Sequence, residues 1–206
     1  TYKKTIPLGI TNPGDTTQLC KRSLIIDNNI KYENLTSCND LTFTFTILAY
    51  ANSSVKIERS FYHYNTDVPN QISSKRGMKS KNVFMAFDAL RRNLSRGDGH
   101  LFRKYKNAFY DIFTGCVKYE LSFIKNPEYK ADFLNTLKEK YPNIVFHADL
   151  TQAIGKVKLD FKNLDLISLS SHKIFGIKGI GLLIKKKNIK ITPLIHGGKS
   201  TTIYRS

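Results

Sequence analysis

The sequence predicts an α/β protein in two parts. Residues 126–206 show the helix, strand, crossover and strand order of a parallel sheet layer, and residues 1–125 an α+β arrangement of a β-hairpin followed by a basic helical region. Three observations carry this expectation. The runs NIVFHADL and DLISLSS are apolar, of buried-strand length, and both end in polar side chains. LTFTFTILAY alternates apolar residues with threonine at period two, the pattern of a half-buried strand. VFMAFDALRRNL and LFRKYKNAFYDIF instead space their apolar residues near 3.6, as amphipathic helices do.

Taken in order, residues 1–40 are rich in Thr, Asn, Pro and Gly and read as loops, with one short strand at Ser23 to Ile26. Leu41, Phe43, Phe45, Ile47 and Ala49 form the first hairpin strand; after a break at 51–54, Val55, Ile57 and Phe61 continue the alternation as the second. Residues 65–81 read as a polar, basic loop. Val83, Phe84, Phe87, Leu90 and Leu94 then mark one helix, and beyond the Gly97-Asp98-Gly99 break Leu101, Phe102, Tyr105, Phe109, Ile112 and Phe113 mark another. Alternation of Val117, Tyr119, Leu121 and Phe123 predicts a short strand. Asn126-Pro127-Glu128 predicts a capped helix start with proline in the first turn; Tyr129, Phe133 and Leu137 share its apolar face, and Pro142 closes it. A strand beginning at Ile144 to Phe146, a crossover through 153–164 and a strand at Ile167 to Leu169 complete the parallel layer.

Composition bounds the partners. The chain has 33 Lys and Arg against 16 acids, a net charge of +17 and a pI near 9.8, which favours an anionic partner or reflects a solvated basic surface. From 75 to 106 ten basic residues face two acids, a local charge of +8 that could lie along phosphates through Arg91, Arg92, Arg96, Arg103, Lys104 and Lys106. Cys20, Cys38 and Cys116 are odd in number and widely spaced, which fits a reduced compartment, cytoplasmic or organelle matrix, and gives no metal-ligand spacing. No apolar run reaches the length of a membrane span. Gly176, Gly179 and Gly181 have the wrong order for a dinucleotide loop and precede a strand, LLI, where such a loop needs a helix.

The chemistry collects at the strand ends. A carboxylate at Asp149 and an amine at Lys173, each delivered where a strand of a parallel layer ends, can face one pocket. This pair suits pyridoxal phosphate: the amine forms the Schiff base, and the carboxylate holds the pyridine nitrogen protonated so that the ring can act as an electron sink.

HADLTQAIGK, SLSSHKIFGIKGIG and PLIHGG, in this order and spacing, closely resemble the central segment of the cysteine desulfurases, class V aminotransferases of PLP fold type I. The resemblance covers about residues 130–206. It implies that Lys173 is the Schiff-base lysine, that Asp149 pairs with the pyridinium nitrogen, that Gln152 donates to the ring's phenolic oxygen, and that Ser170 and His172 bind the cofactor phosphate. It further implies a homodimeric, sulfur-transferring enzyme that converts L-cysteine to alanine, leaves a persulfide on an enzyme cysteine, and hands the sulfur to an acceptor protein for iron-sulfur cluster assembly. The family's N-terminal phosphate turn, ring-stacking histidine and asparagine have no counterpart before Lys130. Its sulfur-carrying cysteine and substrate arginine have none after Lys173, and Cys20, Cys38 and Cys116 all precede that lysine. Each site residue also has a plainer reading: Asp149 as a turn cap, Gln152 as a surface amide, Ser170 and His172 as satisfied loop residues, Lys173 as a solvated charge. Two other readings of the chain are a basic nucleic-acid-binding or structural protein of a nucleoprotein assembly, and a fusion of unrelated parts near residue 125.

Overall fold

The computed structural model describes residues 18–55, 57, 59, 63, 65 and 79–192. Within it the chain forms two compact units, Thr1–Leu137 and Lys138–Ser206.

The first unit is helical among the described residues. Its helices are α1 (Arg22–Asp27), α2 (Asn39–Tyr50), α3 (Asn82–Leu94), α4 (His100–Phe123) and α5 (Pro127–Lys140), the last of which runs on into the second unit. The core is built on α3, where Val83, Phe84, Ala86, Phe87, Ala89, Leu90 and Leu94 are each at most 1% exposed. Phe87 meets Phe109 and Phe113 of α4 edge-on at 5.3 and 5.0 Å, and Phe84 packs on Phe133 of α5 at 4.7 Å. Arg91 and Arg92 close α3 with positive charge at the negative end of its dipole. Asn126 caps α5 as the sequence predicts: its Oδ1 accepts from the N–H groups of Glu128 (2.7 Å) and Tyr129 (3.3 Å). Phe133 and Leu137 are buried as expected, whereas Tyr129 points to solvent.

Three strand expectations in this unit are overturned. The first hairpin strand is helix α2, buried at Leu41, Thr42 and Thr44 through Ala49. A helix buried on nearly every side shows no polar face, so its alternating threonines carry no information about period. They stay inside because their hydroxyls find acceptors: Thr42 donates to the Ala86 carbonyl (2.9 Å) and Thr46 to the Thr42 carbonyl (2.7 Å), while Asn93 donates to Thr46 (3.2 Å). No hairpin can then include residues 41–49; Val55 and Ile57 lie in no strand, and Phe61 falls outside the described residues. Ser23 to Ile26 belong to α1. Residues 117–123 are the last turns of α4, where Phe109, Phe113, Val117 and Glu120 are buried at helical spacing and Tyr119 and Phe123 are exposed.

The second unit holds a three-stranded sheet, β1 (His147–Asp149), β2 (Leu166–Ser170) and β3 (Gly181–Lys185), in the order β1-β2-β3. β1 and β2 are parallel, as expected, with Asp149 opposite Ser168; β3 runs antiparallel to β2, so the sheet is mixed. The first strand starts at His147, later than the sequence predicts, because Ile144 to Phe146 serve as a tether. The buried Asp165 carboxylate accepts from the Phe146 N–H (2.9 Å), Lys138 Nζ (2.5 Å) and Lys186 Nζ (3.0 Å), while the Phe146 carbonyl accepts from the N–H groups of Asp165 and Leu166. Two ammonium groups and a backbone donor hold that carboxyl well below the usual carboxylate range. Asp165 thereby fixes the entry to β1 beside the entry to β2, and so sets where both strands end.

Candidate active site

Side chains at i and i+2 of a strand share a face. His147 and Asp149 of β1 and Leu166, Ser168 and Ser170 of β2 therefore lie on one face of the sheet, and the buried Ile167 and Leu169 lie on the other. On the first face His147 and Asp149 are exposed, and Leu166, Ser168 and Ser170 are half-buried. His147 Nε2 shares a hydrogen bond of 3.0 Å with Ser168 Oγ.

Asp149 is the last residue of β1 and exposed. Its Oδ1 accepts from the Thr151 N–H at 2.9 Å, the turn-capping geometry that a sequence Asp-x-Thr permits. Bonds from the side chain and backbone of Thr151, with His147 nearby, lower its pKa, so the carboxylate is the form present at neutral pH. The Leu150 N–H donates to the Ser168 carbonyl (2.9 Å), tying the strand end to β2.

Beyond Ser170 the chain turns at once into a 3-10 helix, Ser171–Ile174, which carries His172 and Lys173 on the surface. Ser170 Oγ and His172 Nδ1 share a hydrogen bond of 2.7 Å. The loop is closed by the Gly176 N–H to the Ser171 carbonyl (2.9 Å) and by Ser171 Oγ donating to the Ile177 carbonyl. Phe175 takes a left-handed conformation with φ 64°, and Gly176 has no room for a side chain: a Cβ there would sit 2.9 Å from Ser171 Cβ and 3.1 Å from its carbonyl oxygen. Gln152 lies in the turn after β1, exposed, its Oε1 accepting from Lys156 at 3.5 Å.

Asp149, Gln152, Ser170, His172 and Lys173 thus all follow or end the two parallel strands at their carboxyl ends. Of these, Ser170 and His172 bond each other directly. An ionised carboxylate, a primary amine and a hydroxyl-imidazole pair on one sheet edge are the donor set that pyridoxal phosphate requires, so the residues present fit that group. Sequence reasoning missed Thr151, Ser168 and Asp165. The first two were within reach, as an Asx-turn pattern and as the period-two partner of Ser170; the pairing of Asp165 with Lys138 and Lys186 exists only in the fold.

The basic residues between 79 and 106 lie in the first unit and mostly engage its own groups. Arg92 pairs with Glu33 (3.4 Å), Arg96 donates to the Asn28 and Asn29 carbonyls (2.9 and 3.3 Å) and to Asn93 (2.7 Å), and Arg103 reaches Asp98. Arg91 lies over Phe102 and Lys104 over Tyr105, at 5.4 and 4.8 Å. Lys106 is exposed; Lys75 and Arg76 lie outside the described residues. Burial, with Glu120 and Asp40 nearby, pushes the Cys38 thiol up to about 12 and the Cys116 thiol to about 11. Among the described residues no group of side chains could hold a metal, and no helix is long and apolar enough to cross a membrane. PLIHGG, at 193–198, lies outside the described residues.

The aminotransferase class-V family matches residues 130–205. Within that span the chain is similar to enzymes named cysteine desulfurase IscS. It is 54% identical to that of Plasmodium falciparum over 69 residues (31% of this chain, 12% of the relative) and 56% identical to that of Clostridium botulinum strain Hall over 63 residues (30% and 15%). To that of Methanosarcina thermophila it is 52% identical over 61 residues (29% and 15%). The chain therefore spans only 12–15% of the length of these relatives. Class V aminotransferases and IscS cysteine desulfurases depend on pyridoxal phosphate. No solved structure matches the chain.

Proposed function

We propose that residues 130–206 form the lysine-bearing part of a cysteine desulfurase-like site that holds pyridoxal phosphate and acts on L-cysteine. The observation that carries this is the placement of Asp149 and Lys173 at the carboxyl ends of two paired parallel strands, in a segment more than half identical to named desulfurases. When bound, pyridoxal phosphate supplies an electron sink for the bonding pairs at the substrate's α carbon. Lys173 Nζ would hold the cofactor, and its amine would carry the proton removed from the α carbon. Asp149, whose carboxyl is lowered further by its bonds to Thr151, would hold a proton on the pyridine nitrogen, and Gln152 would donate to the phenolic oxygen. Ser170 and His172 would hold the phosphate: their mutual hydrogen bond takes one proton of the neutral pair and leaves one donor, the Ser170 hydroxyl or His172 Nε2–H according to the tautomer, to give to it.

The sulfur would leave to a cysteine thiolate. Cys38 and Cys116, with their raised pKa values, are almost wholly protonated at neutral pH and unsuited to that attack. A homodimeric assembly, a sulfur-acceptor protein and a reducing compartment follow from the same reading. The test is a transplant of the matched segment of this chain into the Clostridium botulinum relative in place of its own 63 residues. The chimaera is expected to release alanine from cysteine, and its Lys173→Ala form to release none; a folded chimaera that binds no cofactor contradicts the proposal.

A further inference from the structure

The turns that lead into β2 and out of β3 lie side by side, because Leu166 at the start of β2 pairs with Lys185 at the end of β3. In the first turn, residues 161–164, the Leu164 N–H donates to the Phe161 carbonyl (3.1 Å); in the second, residues 186–189, the Ile189 N–H donates to the Lys186 carbonyl (3.0 Å). Lys186 joins them. Its N–H donates to the Asp165 carbonyl (3.0 Å), and its ammonium reaches Asp165 Oδ1 (3.0 Å) and the Lys162 carbonyl (3.4 Å). Both turns carry the same pair at their centre, Lys162-Asn163 and Lys187-Asn188, and Lys190 follows the second.

Part of the charge gathered here is used within the unit and part is not. Lys138 and Lys186 are matched by Asp165, and Lys185 donates to the Ile189 carbonyl (3.1 Å). Lys162, Lys187 and Lys190 are exposed, and among the described residues their ammonium groups meet no acceptor. Asp160, the acid closest in sequence, turns its Oδ1 to the Lys162 N–H (2.9 Å). Arg92, Arg96 and Arg103 of the first unit, by contrast, each engage a group of their own unit. Beside Lys162 the ring of Phe161 stands 47% exposed on an otherwise polar turn.

We propose that these two turns bind single-stranded nucleic acid, with Lys162, Lys187 and Lys190 on its phosphates and Phe161 stacked on a base. Cations without internal partners supply the backbone attraction, and an exposed aromatic ring supplies a platform that any base can use. The ring favours this ligand over an acidic polypeptide, which offers charge without bases to stack. The length of β2, about 13 Å, separates the turns from the strand end that precedes Lys173, so the inference is independent of the function proposed above.

The test is fluorescence anisotropy of a labelled oligouridylate of about 12 nucleotides, titrated with the full chain at several salt concentrations. Three phosphate contacts on a single strand predict a slope near −2 in log K against log salt, a loss of about twentyfold between about 50 and 200 mM. Lys162→Gln, Lys187→Gln and Lys190→Gln should each reduce that slope by about 0.7, and Phe161→Ala should weaken binding about tenfold at every salt concentration. Unchanged amide exchange in β2 shows that each variant keeps the sheet, and Lys190→Gln, beyond both turns, serves should a turn variant lose it. Lys104→Gln and Lys106→Gln, in the first unit, should leave the affinity as it is. The proposal is overturned if the oligonucleotide does not bind, if the first-unit variants weaken it as much as those in the turns, if Phe161→Ala has no effect, or if polyglutamate of equal charge displaces it completely.

Discussion

Asp165 shows how much one side chain can decide. Its carboxylate is 6% exposed and is matched by two ammonium groups and the Phe146 N–H, so removing it strands a largely buried Lys138. Asp165→Ala is expected to destabilise the second unit by about 3 kcal/mol in urea unfolding, the cost of breaking a buried pair. The pH dependence has a definite sign. The folded pKa lies below the unfolded value near 3.9, so the stabilisation is present above about pH 4 and fades as pH falls toward the lower folded value. Acid titration of the Asp165→Asn variant should lack that component; an unchanged acid profile would contradict this account of the pair. Thiol chemistry offers a second check at the same scale. Cys20 is exposed, whereas burial and acidic neighbours keep Cys38 and Cys116 protonated. Alkylation at pH 8 should label Cys20 well before the other two, which peptide mapping reads directly.

At the scale of elements, the sequence was informative wherever a period and its punctuation agreed. Helices α3 and α4 were legible because apolar spacing and the Gly97-Asp98-Gly99 break coincide, and α5 because Asn126 and Pro127 announce it. Asn126→Ala should cost about 1 kcal/mol, measured as a lower unfolding midpoint. Helix α2 was illegible for a physical reason. Its threonines are satisfied by carbonyls of its own helix and of α3, so a sequence that alternates like a strand is buried like a core helix. The strand ends at Asp149 and just before Lys173 were legible because apolar runs of strand length stop there; the close approach at Gly176 was not, since it depends on how closely the loop returns to Ser171. Gly176→Ala should strain the backbone at the base of the lysine loop and cost about 1–3 kcal/mol, with Lys173 displaced; equal urea stability of the variant would contradict the close approach.

The chain joins a helical unit, in which Arg91, Arg92, Arg96, Arg103 and Lys104 engage the unit's own carboxylates, carbonyls and rings, to a basic α/β unit with a family match. In the second unit Asp149 ends β1, and the bonded pair Ser170 and His172, with Lys173, ends and follows β2. The central claim, which rests on the proposed function, is that Lys173, in the turn that follows the carboxyl end of β2, is the anchor for pyridoxal phosphate. The direct measurement is borohydride reduction of the chain after incubation with the cofactor, followed by peptide mass mapping. The account predicts a label concentrated on Lys173 and diminished by Asp149→Ala; a label spread over surface lysines such as Lys187 and Lys190 in proportion to their exposure would contradict it.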